Sequence, residues 1–252
     1  MELKEFAYLG SNESYQKMID YLTTITEEET WTYNDSQPNG ILKNYIKGTF
    51  KRCYEQSKIL YSSDGEWCCI NTGLLTPNGN DILMLFQKNK RQGTFNWILK
   101  SFQDKTERAY MDIFDAIPDL ATYTQNFELF YFNPQYPIVV STDHILDDNW
   151  DRIKEVVPLS KPVVKSLMLG VIEEAKRKIK RNLRLVVPQF YNNQIMYLMP
   201  IQIPIDDNKI VTMALAIELT STKQYRANTI FTKEMAYEKA RLLMKPESNW
   251  LL

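Results

Sequence analysis

The strongest constraint on the fold is a series of four strand-like segments joined by very short connections between residues 185 and 231. The first two segments flank Asn192-Asn193. Asparagine tolerates positive φ, so this pair is typical of a two-residue type I′ turn. The turn predicts a hairpin in which Gln189 lies opposite Met196.

Two further strands follow this hairpin, at residues 210–219 and 226–231. Because short turns separate all four strands, the sequence predicts an antiparallel meander. Helical patterns precede and follow it. The predicted fold class is therefore α+β, with antiparallel meander sheets and packed helices.

A basic helix precedes the meander. From Lys165 onwards its apolar residues recur at helical spacing, which predicts one buried face. The cations concentrate in its C-terminal half and are Lys176, Arg177, Lys178, Lys180, Arg181 and Arg184. Two interpretations remain open: a solvated face whose charges suit the helix dipole, or a surface that faces phosphates.

The last helix carries Tyr237 and Arg241 one turn apart, on a face different from its apolar one. If both helices pack on the same side of the meander, Arg181, Tyr237 and Arg241 converge into a fork-shaped anion site. The alternative is that Arg241 pairs with a nearby carboxylate, Glu238 or Glu234. The full set of candidate ligand-binding residues is Asn71, Lys88, Arg181, Asn182, Gln189, Thr229, Tyr237 and Arg241.

The N-terminal part predicts a helical extension at residues 1–40 and a main α+β domain at residues 41–252. A loop through Asp35 is a candidate hinge between the two. A second helix is predicted from Ile41 to Tyr61, and a hairpin follows it. Pro77-Asn78-Gly79 is the turn signal of that hairpin.

Two features of this hairpin bear on ligand binding. Gly73 lies inside a strand, which indicates either a β-bulge or a backbone surface that a ligand can approach. The polar loop Lys88-Asn89-Lys90-Arg91-Gln92-Gly93 then supplies a second cluster of cations.

The composition limits the binding partners and the cellular compartment that we expect for this protein. The formal net charge is −1, so a nucleic acid or a membrane has to be held by a local patch. The three cysteines are odd in number, which indicates a reducing compartment and not a disulfide framework. No apolar run is long enough to span a membrane. A cytoplasmic protein without a membrane partner is expected.

His144 is the single histidine and the candidate catalytic residue, with Asp143 and Arg152 in support. The helix that follows is predicted at residues 147–157, with Asp147 or Asp148 as its cap. Neither phosphate-loop pattern and no nucleophile elbow occurs, so no cofactor is predicted. The surrounding carboxylates make a metal site conceivable, but we predict none.

Several ordered motifs together carry a family resemblance. They are Asn71-Thr72-Gly73-Leu74, Asp143-His144-Ile145, Arg181-Asn182, Pro188-Gln189, Leu198 with Pro200, Thr229-Ile230 with Thr232, Ala236-Tyr237, Ala240-Arg241 and Trp250-Leu251. Over roughly residues 45–252 the chain resembles a family of bacterial and viral proteins known only as a domain of unknown function. Some members lie beside RNA-binding modules of the cold-shock type, which implies a role near RNA. The resemblance implies no catalytic residues.

Three functions are carried forward. The leading hypothesis is an RNA- or nucleotide-binding protein that uses the basic helix and a tyrosine-rich cleft, because cations interleaved with aromatic rings suit single-stranded ligands. The second is an enzyme that processes RNA or nucleotides through His144. The third is an interaction protein that could form a homo-oligomer. Whether the protein is an enzyme is left open.

Overall fold

The computed structural model describes residues 1–32, 37–91 and 95–251. The chain divides into two compact units, Met1–Thr122 and Tyr123–Leu252. Each unit contains a five-stranded, mostly antiparallel sheet with helices, so the predicted α+β class is confirmed. The predicted division into residues 1–40 and 41–252 is a different one and stays a prediction.

The first unit is built on a meander. Its elements are α1 (Leu3–Phe6), β1 (Ala7–Tyr8), α2 (Asn12–Ile25), α3 (Gly40–Glu55), β2 (Leu60–Tyr61), β3 (Trp67–Leu75), β4 (Asp81–Lys88), β5 (Trp97–Asp104) and α4 (Arg108–Met111). The strand order is β1-β5-β4-β3-β2, in which only β1 pairs in parallel. The predicted turn joins β3 to β4, with Gly79 at φ +77°. The candidate hinge residue Asp35 lies outside the described residues.

The second predicted helix is shorter than expected, since α3 ends at Glu55 and not near Tyr61. Ser57 has φ +55°, and the N–H of Lys58 returns to the carbonyl of Cys53 at 2.9 Å. A left-handed residue of this kind ends a helix. The residues beyond it form the edge strand β2 instead.

The second unit contains the longer sheet. Its elements are a 3₁₀-helix (Phe127–Phe130), β6 (Ile138–Val139), α5 (Thr142–Val156), α6 (Lys161–Arg181), a second 3₁₀-helix (Leu183–Leu185), β7 (Val187–Tyr191), β8 (Gln194–Asp206), β9 (Lys209–Leu219), β10 (Tyr225–Thr232) and α7 (Lys233–Arg241). The strand order is β6-β10-β9-β8-β7, in which only β6 pairs in parallel. None of the helices within the described residues has the length and apolar character needed to cross a membrane.

The β7–β8 hairpin has the predicted register. Asn192 and Asn193 have φ +48° and +60°, as a type I′ turn requires. Gln189 pairs with Met196. Local turn chemistry therefore fixes which side chains of β7 share a face.

The two faces of this sheet are covered by different helices. Alternate residues of β8 and β9, such as Tyr197 and Ile217, pack into one core with Ile172 and Ile179 of α6. The intervening residues face α7, whose Met235 shares a cleft with the opposite set. The basic helix and the last helix therefore lie on opposite sides of the meander, so the condition set for the convergence of Arg181 with Tyr237 and Arg241 is not met.

Helix α5 begins earlier than predicted. It starts at Thr142, with Ser141 as the N-cap residue, so the predicted caps Asp147 and Asp148 lie inside the helix. His144 is therefore a helical residue. Asp147 instead pairs with Lys161 at 2.8 Å.

Candidate functional site

Helix α6 presents a basic surface because its apolar face is buried in the core. Met168, Ile172 and Ile179 are buried, which turns the intervening cations outward. Some of this charge is paired within the helix: Lys176 lies 2.7 Å from Glu173. Arg177 and Lys180 are exposed, and their side chains have no carboxylate partner among the described residues.

A cleft of about 390 Å³ lies between this surface and the loop at residues 132–138. We call it the basic cleft. Its lining residues are Phe132, Pro134, Gln135, Tyr136, Pro137, Ile138, Glu173, Lys176, Arg177, Ile179 and Lys180. Three cations and one carboxylate give the cleft a net charge of +2. The hydrogen bond from Lys176 holds the pKa of Glu173 below its usual value, so this carboxylate is charged at neutral pH.

Buried Tyr225 positions the loop that forms the opposite wall. The backbone N–H of Asn133 donates to the Tyr225 hydroxyl at 2.9 Å, and the N–H of Tyr225 donates to the carbonyl of Pro137 at 2.8 Å. The ring of Tyr136 lies 6.1 Å from the ring of Tyr225. Half-buried Tyr136 is thus held at the cleft, where an aromatic face and cations meet.

A second cleft, of about 490 Å³, lies on the other face of the sheet beside α7. We call it the Gln189 cleft. Its lining residues are Gln189, Tyr191, Asn192, Gln194, Met196, Ala216, Glu218, Asn228, Thr229, Phe231, Met235 and Lys239. Of the predicted ligand-binding residues, the structure brings Gln189 and Thr229 together here.

A hydrogen-bond network from α5 fixes one wall of the Gln189 cleft. The Thr229 hydroxyl donates to Oδ1 of buried Asn149 at 2.6 Å. The Arg152 guanidinium donates to the same oxygen at 2.9 Å and to the carbonyl of Ile230. It also lies 5.5 Å from the centre of the Phe231 ring. Arg152, predicted as a catalytic residue, thus holds the edge of β10 in place.

The other predicted residues of the anion site are dispersed. Exposed Arg181 ends α6 and donates to the carbonyl of Arg177 at 2.8 Å. Asn182 caps the following 3₁₀-helix through Arg184. Tyr237 and Arg241 are buried on α7, on the opposite face of the sheet from α6. The condition for a convergence of Arg181 with Tyr237 and Arg241 is therefore not met; the pairing of Arg241 with a carboxylate stays a prediction.

The three predicted catalytic residues do not form one constellation. His144 is 71% exposed and lies 3.3 Å from Asp148 on the same helix. Asp143 pairs with Lys165 at 2.9 Å. Arg152 lies about 12 Å from His144 along the α5 axis, because each residue of an α-helix rises by about 1.5 Å. Among the residues that the structure describes, no three histidine, cysteine or acidic side chains lie together so that they could bind a metal ion.

The remaining predicted ligand residues, Asn71 and Lys88, belong to the first unit. The Asn71 carboxamide is buried, accepts from the N–H of Gly73 at 2.9 Å and donates to Asp81 at 3.1 Å. Lys88 lies 3.7 Å from Glu66. Gln92 and Gly93 of the basic loop lie outside the described residues. A ligand role for Asn71 and Lys88 stays a prediction.

Sequence reasoning missed three residues that shape the clefts: Tyr136, Asn149 and Lys239. A signal existed for Tyr136, because Pro134 and Pro137 bracket it and restrict that loop. The sequence contains no comparable signal for Asn149 or Lys239. Each is one polar residue in a polar helix, and its neighbours in the cleft come from distant strands.

Comparison with known proteins gives one result. No curated protein and no solved structure matches the chain. Residues 22–250 match the protein family described as "Domain of unknown function (DUF3825)". This match covers most of the chain, and the predicted membership of a family of unknown function is confirmed. The chain belongs to the DUF3825 family.

Proposed function

We propose that this protein binds RNA through the basic cleft, with α6 contacting phosphates and Tyr136 stacking on a base. The observation that carries the proposal is the meeting of Lys176, Arg177 and Lys180 with the Tyr136 ring in a single cleft. Proteins that bind single strands without sequence preference combine a positive groove with aromatic platforms. The overall charge of −1 means that this patch supplies the attraction locally.

The family resemblance supports the same class of ligand. The bacterial and viral proteins that the sequence resembles are in some cases found beside RNA-binding modules of the cold-shock type. We place the function in the cytoplasm, in line with the composition. The enzyme and homo-oligomer hypotheses stay predictions.

The proposal is tested with the double variant Arg177→Ala/Lys180→Ala. We expect binding of a short, fluorescently labelled single-stranded RNA to weaken by about tenfold or more, because the loss of even one charge-assisted hydrogen bond costs about 1.5 kcal/mol or more. The salt slope of log affinity should become shallower by about 1.4, at about 0.7 for each phosphate contact. Fluorescence anisotropy at several salt concentrations measures both quantities.

The matched control is Lys154→Ala/Lys165→Ala, which removes the same charge from the second unit. Both of these lysines lie in exposed pairs on α5 and α6, outside the basic cleft. We expect the control to change affinity little. If it weakens binding as much as the test variant, or if wild-type protein fails to bind RNA at low salt, the proposal is wrong.

A further inference from the structure

We infer that the Gln189 cleft binds a mononucleotide, and that the Gln189 carboxamide reads the hydrogen-bonding edge of its base. This site is independent of the basic cleft, because the two lie on opposite faces of the second sheet. The ligand class follows from the recognition group, the walls and the charge at the cleft.

The recognition group is a buried amide without a partner. Gln189 is 2% exposed and lines the cleft. Within the described residues its side chain makes no hydrogen bond. A ligand with the complementary groups would supply the hydrogen bonds that the described residues do not give this amide.

The geometry of a carboxamide selects a planar edge with a neighbouring donor and acceptor. Adenine presents such an edge through its N6 amino group and N7, and glutamine pairs with it through two hydrogen bonds. Guanine presents two acceptors at the same edge, so it would leave the Gln189 oxygen without a donor. Of the two purines read at this edge, adenine is therefore the one that fits.

The walls around Gln189 suit a flat ring. Met196, Met235 and Phe231 supply two thioethers and one aromatic ring. The Arg152 guanidinium, 5.5 Å from the Phe231 ring centre, helps to fix that ring. At about 490 Å³ the cleft falls within the range of about 300–1,000 Å³ that is common for small-ligand sites.

One cation of the cleft is available to a phosphate. Lys239 lines it, and its ammonium group has no carboxylate partner among the described residues. Glu218 also lines it, but its carboxylate is held by Arg226 in an ion pair. The cleft therefore offers one uncommitted cation to an anionic group.

The first test compares two ligands on the wild-type protein by isothermal titration calorimetry. We expect adenosine monophosphate to bind. Purine riboside monophosphate, which lacks the 6-amino group, should bind about tenfold or more weakly, because it leaves the carboxamide oxygen unpaired. Absence of binding by adenosine monophosphate, or equal affinity for the two, would overturn the inference. This comparison depends on no variant.

The second test replaces the recognition group. Gln189→Leu should weaken adenosine monophosphate binding by at least about tenfold. If Gln189→Leu does not fold, Gln189→Met keeps the unbranched chain and takes its place. The matched control is Gln202→Leu, on β8 and outside the cleft, which should bind normally. Equal losses in Gln189 and Gln202 variants would contradict the site.

The third test separates base from phosphate and one cleft from the other. Lys239→Ala should weaken adenosine monophosphate binding and leave adenosine binding unchanged. Arg177→Ala/Lys180→Ala should leave adenosine monophosphate binding unchanged, whatever its effect on RNA. If this double variant abolishes nucleotide binding, the nucleotide occupies the basic cleft and the inference is wrong.

Discussion

At the scale of single residues, the three cysteines are buried nucleophiles with suppressed reactivity. Cys53, Cys68 and Cys69 are each 0% exposed and all three are free thiols. Burial raises the pKa of Cys53 to about 11 and that of Cys69 to about 12, and it raises the pKa of Cys68 as well. Because the thiolate is the reactive form, native protein should resist thiol reagents.

We predict that an aromatic disulfide reagent at pH 8 titrates almost none of the three thiols in the native protein. For a thiol of pKa about 11 the thiolate fraction at pH 8 is about one in a thousand, against about a quarter for a free thiol. In denaturant all three should react at once. The absorbance of the released chromophore measures this, and a thiol that reacts quickly in native protein would contradict the described burial.

Single residues are also where sequence reasoning reached its limit. Asn149 is buried and joins α5 to Thr229, yet in the sequence it lies among aspartates that are exposed. Gln189 is a predicted ligand residue, and its position opposite Met196 follows from the turn. The lack of a hydrogen-bond partner for its side chain cannot be read from the sequence, because it depends on residues from β10 and α7.

At the scale of elements, the bulge in β3 shows how one glycine fixes a strand. The register of β3 with β4 shifts between Asn71 and Leu75, so the bulge interpretation of Gly73 is confirmed. Gly73 has φ +72°, and a Cβ there would lie 2.8 Å from the Tyr45 hydroxyl. That hydroxyl donates to the carbonyl of Thr72 at 2.9 Å and anchors α3 to the strand.

We predict that Gly73→Ala lowers the free energy of unfolding by about 2 kcal/mol or more. The left-handed backbone alone costs an alanine about 1–2 kcal/mol, and displacement of Tyr45 adds to this. Gly79→Ala is the matched control, because Gly79 has φ +77° but nothing within 4 Å of its Cβ position. Urea unfolding of both variants isolates the effect of the contact with Tyr45. Equal losses of unfolding free energy in the two variants would show that Tyr45 is not displaced.

Elements whose signals are local were predicted well, and those with distant determinants were not. The β7–β8 hairpin followed from Asn192-Asn193 alone. The end of α3 comes with the left-handed Ser57 and the pairing of Leu60–Tyr61 with β3, neither of which periodicity reveals. The side on which α7 packs depends on the whole meander, so the convergence of Arg181 with Arg241 could not be judged from helix faces.

At the scale of the whole molecule, each unit has its own sheet and its own buried side chains. In the second unit one core joins α5, α6 and the meander, and all described lining residues of both clefts belong to this unit. In the first unit the N-terminal residues are part of the sheet and core. β1 pairs with β5, the N–H of Glu27 donates to the carbonyl of Leu75 at 2.9 Å, and Leu22 is fully buried.

These contacts lead to a prediction about fragments that compares two divisions of the chain. A fragment of residues 123–252 should fold and unfold in one cooperative urea transition, because its core is its own. A fragment of residues 41–252 should lose the native packing of the first unit, because it lacks β1 and α2. Circular dichroism and near-ultraviolet spectra during unfolding follow both. The opposite result would be a fully stable fragment 41–252 and an unfolded fragment 123–252. It would show that the chain divides at residue 40 and that residues 123–252 need residues 41–122 in order to fold.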